Sequence, residues 1–229
     1  PDYDRIYAPT QAMPYGIYEP LKEQIPEIEK ITFINSFDDE IMEVGDERIA
    51  TRGLAVRGDF FDIFDYEFLI GDSGCLKSNT DIILSESYAI KLAGKPELAI
   101  GMQIVPIDYT SQAYTVTGIV KDPKHNYWKA MDVICKGESA VNDGPHKNPI
   151  FTLSGVTFIQ VAESAEAEDL KGKVVTVFKQ LWGEKIPEDR VNQFASLIGL
   201  ERFDRLYFSG VQLDSYLNMG DKSQIIILL

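Results

Sequence analysis

The stretch VRGDFFDIFDYEFLIGD, residues 56–72, places three aspartates three residues apart among aromatic and aliphatic side chains: Asp59, Asp62 and Asp65. A calcium loop supplies oxygen ligands at alternate positions, with a glycine bend and a distal Glu, and a spacing of three does not wrap an ion in that way. Asp59 instead suits the N-cap of a short helical turn, where its carboxylate would accept from amides two and three residues on. Asp62 suits the first turn, near the positive end of the helix dipole. We therefore predict a folding signal here, not a metal site or a catalytic site.

The segments before this stretch predict a helix followed by strands. Apolar residues at helical spacing indicate a helix over 15–24. The segment 27–37, EIEKITFINSF, is typical of a strand, and residues 41–57 predict a hairpin whose turn is VGDE.

The segment after it, TDIILSESYAIKLAG at 80–94, predicts a strand that runs into a helix. Ser85 is placed to cap the start of that helix and Gly94 to end it. A further strand is predicted in YTVTGIVKD, residues 114–122, which ends at an Asp-Pro pair.

The remainder of the chain predicts a second group of elements. Residues 136–149, KGESAVNDGPHKNP, have the composition of a loop, and we place a lobe boundary there. A strand is predicted at 156–161. An amphipathic helix is predicted over 164–183 with Ser164 as its cap, and a shorter helix at 201–209.

Composition limits the class of protein. The chain has 229 residues, of which 45% are hydrophobic. This length and composition are sufficient for one large or two modest packed lobes. Its formal net charge of -14 would repel phosphate backbones, which argues against a nucleic-acid partner. No apolar run reaches the roughly 18 residues that a membrane span needs. The segment 225–229 is wholly apolar, and with the missing start methionine it suggests a piece excised next to a hydrophobic segment.

The residues that usually carry chemistry do not assemble into a motif. Cys75 and Cys135 lack the neighbours of a zinc site, and either a disulfide or two separate thiols would fit them. The GDSG at 71–74 resembles the motif around the nucleophilic serine of chymotrypsin-like proteases. In that family the histidine that acts as general base precedes the serine in the chain, whereas both histidines here, His125 and His146, follow Ser73. We therefore predict no catalytic residues, no metal and no cofactor.

One aromatic cluster is a candidate binding surface. His125, Tyr127 and Trp128 stand close together in KHNYWKAMD and could form the wall of a ligand or partner site. An aromatic pair packed in the core under a loop is the alternative.

Several segments, taken in order, resemble the periplasmic core domain of MacB/FtsX-type ABC transporter permeases. They are YDRIY near the start, VRGDFFDIFDYEFLIGD, IILSESYAIKLAGKPELAIGMQI, YTVTGIVKDPKHN, and FDRLYFS followed by MGDKSQIIILL. Together they extend over nearly the whole chain.

The resemblance implies an α+β fold of two lobes. A discontinuous porter-like α/β lobe would comprise residues 1–57 and 146–229, and a Sabre-like mixed α+β lobe would be inserted at 58–145. It also implies a non-catalytic domain on the periplasmic side of the inner membrane, belonging to an integral membrane protein. The domain would transmit ATP-driven conformational change to cargo or to partner proteins.

The partners that the resemblance implies are a cytoplasmic ABC ATPase subunit or domain, a second permease copy, and a periplasmic adaptor or lipoprotein. The transported substrate is not implied. The isolated chain is expected to be a monomer or a weak dimer, because tethering in the membrane normally supplies the effective concentration. The alternative function is an extracytoplasmic ligand-sensing domain of a membrane receptor, and an enzyme is a more distant one.

Overall fold

The computed structural model describes residues 3–10, 13–107, 112–122, 131–137, 154–183, 185–207 and 209. The strands are β1 Ile6–Pro9, β2 Met13–Pro14, β3 Ile28–Val44, β4 Glu47–Gly58, β5 Phe68–Ile70, β6 Asp81–Ser85, β7 Gln103–Pro106, β8 Tyr114–Val120, β9 Val133–Lys136, β10 Ser154–Val161 and β11 Leu200–Arg202. The α-helices are α1 Tyr18–Gln24, α2 Phe60–Ile63, α3 Glu86–Ala93, α4 Pro96–Ala99, α5 Ala167–Trp182, α6 Glu188–Leu197 and α7 Phe203–Leu206. Single 3-10 turns lie at Tyr3–Arg5, Tyr15–Ile17 and Ser73–Cys75. The predicted α+β class is confirmed.

The chain forms two compact units. Unit 1 comprises Pro1–Phe33, Gly58–Ile63 and Asn148–Leu229, and unit 2 comprises Ile34–Arg57 and Phe64–Lys147. These bounds differ from the lobes that the resemblance implies, because 34–57 falls in unit 2 and 58–63 in unit 1. The sequence carries no signal for the first of these boundaries, since it falls inside the uninterrupted strand β3. The correspondence of unit 2 to the Sabre-like lobe stays a prediction.

Unit 1 is a sheet with helices packed on it. Its strands follow the order β11, β1, β10, β3, with β2 also paired to β10. β1 runs antiparallel to both of its neighbours, with Ile6 opposite Gln160 and Tyr7 opposite Arg202. The long helix α5 buries one stripe: Leu170, Val174, Val177, Phe178 and Trp182. The periodicity predicts the first four of these but places Leu181, which is only partly buried, in the stripe where the structure has Trp182. The prediction that Ser164 caps this helix is wrong, because the helix begins later, and Glu166 at its N-cap makes no side-chain capping bond.

Unit 2 is a closed barrel of six strands. Its part of β3 is hydrogen-bonded to β4, β4 pairs with β9, and β9 pairs with β6. β6 pairs with β8, β8 with β7, and β7 returns to β3. The ring is therefore complete, and β5 pairs with β8 outside it. A barrel this narrow is filled by its own side chains.

The buried core of unit 2 contains side chains from the barrel strands together with residues of α3 and α4: Met42, Ile82, Leu84, Tyr88, Ala89, Ala99, Ile104, Tyr114, Val116, Ile119, Val133 and Cys135. Close packing also explains one small residue in the barrel wall. A Cβ on Gly53 would lie 2.5 Å from both Phe37 Cζ and Val133 Cγ2. Only glycine fits that position without movement of its neighbours.

The residues predicted to cap and end α3, and the turn predicted for the hairpin, are found where the sequence places them. The Ser85 hydroxyl accepts a hydrogen bond from Tyr88 N, and Gly94 ends α3 in the left-handed conformation. β3 and β4 are joined by Gly45 and Asp46, and Gly45 has the positive φ of 61° that suits a tight hairpin loop.

The stretch 56–72 forms a turn of helix at α2, with Asp62 and Asp65 exposed and Phe60, Ile63 and Phe64 buried. The cap predicted for Asp59 is corrected. Its Oδ2 accepts a hydrogen bond from Ile31 N at 3.0 Å, and Asp59 N donates to Ile31 O at 3.0 Å. The carboxylate thus replaces a backbone carbonyl in a strand-like pair, and it does not cap its own helix.

Candidate functional site

The three predicted surface residues, His125, Tyr127 and Trp128, lie outside the described residues. The structure does describe the residues on each side of them, Asp122 and Asp132. These two aspartates define the candidate site, because they are described residues on either side of positions 123–130.

Asp122 is held at the start of α3. Its Oδ1 accepts a hydrogen bond from the Ser87 hydroxyl at 2.7 Å, and its Oδ2 accepts one from Ser87 N at 3.2 Å. A carboxylate at this position also interacts favourably with the positive end of the helix dipole. Asp122 is therefore fixed at the first turn of α3.

Asp132 is held where β6 meets α3. Its carbonyl accepts a hydrogen bond from Ser85 N at 2.9 Å, and its amide donates to Arg52 O at 2.8 Å. Its Oδ2 accepts from Arg52 N at 3.0 Å. Because Ser85 and Val120 are paired at the ends of parallel strands β6 and β8, Asp122 and Asp132 both lie at one end of the barrel. We call this end, defined by Ser85, Ser87, Asp122 and Asp132, the anchored end.

The chemistry of the anchored end is that of a scaffold. The two aspartates accept hydrogen bonds from backbone amides and a serine hydroxyl, and the nearby Lys121 is paired with Glu67, whose hydrogen bond raises the pKa of Lys121. Within the described part of the chain, no three His, Cys, Asp or Glu side chains come together as a metal-binding group. The arrangement holds Asp122 and Asp132 in place through hydrogen bonds from Ser87 and Arg52.

A buried hydroxyl pair ties α3 to the barrel wall. Tyr88 Oη is hydrogen-bonded to Thr51 Oγ1, and Thr51 Oγ1 donates to Ile49 O at 3.2 Å. Since the Thr51 proton is used in that bond, Tyr88 is the donor to Thr51. Burial raises the pKa of Tyr88, so its hydroxyl keeps this proton at neutral pH.

The two cysteines are separate thiols. Both are free in the structure. Cys135 is paired with Ile82, so the two side chains share one face of the sheet. A Cβ on Gly118 would lie 3.1 Å from Cys75 Sγ, and Gly118 is paired with Ile83. Because Ile82 and Ile83 are consecutive and point to opposite faces, the sheet separates the thiols.

Sequence reasoning identified Ser85 as the cap of α3 but missed the roles of the other three residues of the anchored end. Asp122 was seen only as the Asp-Pro that ends β8, and the short strand β9, which Asp132 precedes, was not predicted. Ser87 carried no signal beyond its place in a helix. An aspartate that directly follows a predicted strand and can reach a helix N-terminus is the signal that could have identified Asp122.

Among the described residues, no α-helix combines the length and the apolar composition that crossing a bilayer requires. No protein-family model matches the sequence, and no curated protein sequence matches it.

Solved structures do match this fold. The chain is similar to a domain of a proposed permease from Porphyromonas gingivalis, at 18% identity and a TM-score of 0.67, over 100% of this chain and 97% of that one. It is also similar to the periplasmic region of MacB from Actinobacillus actinomycetemcomitans, at 14% identity and a TM-score of 0.59, over 84% of this chain and 92% of that one. A third match is the extracellular domain of the noncanonic ABC-type transporter YknZ from Gram-positive bacteria, at 12% identity and a TM-score of 0.57, over 75% and 85%. The fold of this chain is therefore that of the extracytoplasmic domains of MacB-like ABC transporter proteins, which confirms the resemblance at the level of the fold.

Proposed function

We propose that this chain is the extracytoplasmic domain of an ABC transporter permease of the MacB/FtsX type, on the periplasmic side of the inner membrane. The observation that carries the proposal is the similarity of fold over the full length of the chain to a proposed permease domain, together with the MacB and YknZ domains. The domain has no catalytic role in this proposal. It passes conformational change, driven by ATP hydrolysis elsewhere, to cargo or to a partner protein.

The construction of unit 2 supports a mechanical role. A strand ring that closes on itself has no free edge along which one strand can slide away from the next. Its interior is occupied by buried side chains, and such packing has low compressibility and transmits strain. We expect a barrel of this kind to move as a rigid body when force is applied to it.

The partners proposed are a cytoplasmic ATPase subunit or fused domain acting through the membrane part, a second permease copy, and a periplasmic adaptor or lipoprotein. We place the contact with the last of these at His125, Tyr127 and Trp128. The support is that Asp122 and Asp132, which stand on either side of these three residues in the sequence, are each fixed by hydrogen bonds.

The test uses the full-length protein in its membrane. A spin label at Lys95, an exposed residue of unit 2, is introduced as Lys95→Cys in a Cys75→Ser background. If two copies assemble with an ATPase, the label-to-label distance measured by pulsed electron resonance should change when ATP and vanadate are added. The same purification should contain an ABC ATPase, either as a separate subunit or as part of the same polypeptide.

A purified membrane complex without any ATPase would end the transporter proposal. An unchanged distance in a complex that does hydrolyse ATP would leave the permease assignment and end the transmission role. If instead a small molecule raises the Tm of the chain and Trp128→Ala abolishes that shift, the ligand-sensing alternative would replace the proposal.

A further inference from the structure

Unit 2 carries a helical corner on the outside of its barrel. Helices α3 and α4 are joined by Gly94 and Lys95, and Gly94 turns the chain with a left-handed φ of 75°. Both helices contribute to the core of unit 2, where Tyr88 of α3 and Ala99 of α4 are buried. We call residues 90–100 the corner. Because the two helices bury their inner sides in one core, their outer sides face solvent.

The outer side of the corner is apolar. Ile90 is 46% exposed, Leu98 is 65% exposed and Ile100 is 39% exposed. Since α3 and α4 also pack against each other, these three side chains belong to one surface. A single exposed aliphatic side chain needs no explanation, but a group of them with polar neighbours is typical of a surface that another molecule covers.

The corner also carries a charge opposite to that of the chain. The charged side chains of residues 87–107 are Lys91, Lys95 and Glu97, which give this segment a formal charge of +1 in a chain whose net charge is -14. Lys91 and Lys95 are both exposed. Lys91 Nζ lies 5.4 Å from the centre of the Tyr88 ring, an attraction that holds this ammonium close to α3.

We propose that the corner is a docking surface for an acidic amphipathic segment of a partner protein. The apolar side chains of that segment cover Ile90, Leu98 and Ile100. Its carboxylates pair with Lys91 and Lys95. At physiological ionic strength the interaction of exposed charges is screened beyond about 8 Å, so a docked segment responds to these two ammonium groups more than to distant carboxylates of the chain.

The charge of the corner argues against two other occupants. A second copy of this chain, docked through the same corner, would bring the lysines of both copies together, and like charges in an interface are unfavourable. A bilayer of anionic lipids would attract the two lysines but would repel a domain with a net charge of -14. A narrow protein segment contacts the corner alone and avoids both costs.

This inference adds a contact surface to the one proposed at His125, Tyr127 and Trp128. It depends on the exposed side chains of α3 and α4 and not on the assignment of the chain to a permease.

The first experiment asks which molecule covers Leu98 in the cell. Leu98 is replaced by the photo-cross-linker p-benzoylphenylalanine in the full-length protein, in its own membrane, and the product of irradiation is identified by mass spectrometry. We expect a cross-link to a protein other than this chain, at a segment that contains both acidic and apolar side chains. Leu197, an exposed leucine of unit 1, is the matched control position, and the product should be lost there.

The second experiment tests the charges. Lys91→Glu together with Lys95→Glu should lower the yield of the Leu98 cross-link about tenfold, because two attractive contacts become repulsive. Lys179→Glu together with Lys185→Glu is the matched control, since these exposed lysines of unit 1 change the net charge by the same amount. Replacing the acidic residues of the partner segment by lysine should restore the yield with the first pair. Because all four lysines are exposed, each variant should keep the Tm of the parent.

Several results would overturn the docking surface. They are a cross-link from Leu98 to lipid alone, to a second copy of this chain, or to a segment without acidic residues, and the absence of any product at Leu98. The same product at Leu197, or an equal loss of yield in the control pair, would do so as well. None of these results bears on the presence of an ATPase in the purified complex, so the inference can fail while the permease assignment stands.

Discussion

At the scale of single residues, glycines show where packing leaves no room. Gly53 lies in the barrel wall against Phe37 and Val133. Gly53→Ala should lower the free energy of unfolding by about 1–3 kcal/mol, because a methyl group added to a close-packed site forces its neighbours to shift. Urea denaturation measures this change.

Gly172 provides the opposite case. It lies exposed within α5, and nothing is within 4 Å of the position of a Cβ. Gly172→Ala should raise the free energy of unfolding by about 0.5–1 kcal/mol through better helix propensity. Equal effects of the two substitutions would contradict the packing described for the barrel.

The cysteines give a second prediction at this scale. Burial raises the pKa of Cys135 to about 12, so its thiol stays protonated and enclosed at pH 8. Cys75 is partly exposed. Iodoacetamide should therefore add one label to the folded chain and a second only in denaturant, as read by intact mass. A native chain that takes up no label until a reductant is added would mean that the two cysteines are bridged.

At the scale of elements, the attachment of α3 depends on the Thr51–Tyr88 pair. Tyr88→Phe removes the donor, and Thr51 keeps its bond to Ile49 O, so the cost should be about 1 kcal/mol. Thr51→Val leaves the buried Tyr88 hydroxyl without an acceptor and should cost about 1–3 kcal/mol.

The double variant tests whether these two losses share one cause. Combining Thr51→Val with Tyr88→Phe should lower the free energy of unfolding by less than the sum of the single changes. With both hydroxyl groups removed, no buried hydroxyl is left without its partner. Chemical denaturation of all four proteins measures the coupling. Strict additivity would show that the hydroxyls do not interact.

Lys173 attaches α5 to the chain just before β3. Its Nζ lies 2.5 Å from Glu27 Oε1 and 2.7 Å from Asp169 Oδ2. The hydrogen bond from Lys173 lowers the pKa of Glu27 below 4.5, and the bonds to Asp169 and Glu27 raise the pKa of Lys173 above 10.5. The stabilisation is therefore complete between these two values, and it is lost as pH falls through the lowered pKa of Glu27 or rises through the raised pKa of Lys173.

Lys173→Met should consequently lower the Tm at pH 7, and the difference from the parent should shrink as pH is taken below about 4.5. Lys171→Met is the control, because among the described residues Lys171 pairs only with the exposed Glu168, at 3.7 Å. A deficit in Tm that stays constant to low pH would show that lost packing, and not the ion pairs, causes it.

The elements that the sequence predicts well are those with signals in their own residues. Ser85 and Gly94 bound α3 because a hydroxyl cap and a left-handed glycine act locally. The short strands β1, β7, β9 and β11 were missed, since three or four residues carry little periodicity. The closure of the barrel was not predicted either, because it depends on the pairing of β7 with β3. No single segment of the sequence carries a signal for that pairing.

At the scale of the whole molecule, the excess of acidic residues should make stability depend on salt. The net charge of -14 implies self-repulsion in the folded state, which dissolved ions screen. The Tm should rise as sodium chloride increases from about 20 to 300 mM, well within the range where screening lengths change strongly. Differential scanning calorimetry measures this, and a Tm that falls with salt would show that attractive ion pairs outweigh the repulsion.

The whole-chain resemblance predicted more than any motif did. It identified the fold from segments that individually carry little information, because their order and spacing reflect one architecture. The candidate site was predicted only as three aromatic and imidazole side chains, without the aspartates on either side of them in the sequence. Asp122 and Asp132 escaped detection because their role depends on contacts with Ser87 and Arg52, which are distant in the sequence.

The order of unit 1 along the chain has a consequence on the ribosome. The last barrel strand ends at Lys136, whereas β1, near the start, pairs with β10 and β11, which are translated later. A nascent chain therefore contains every barrel strand before it contains either neighbour of β1. During that interval the backbone groups of β1 lack the strands with which they pair in the folded chain.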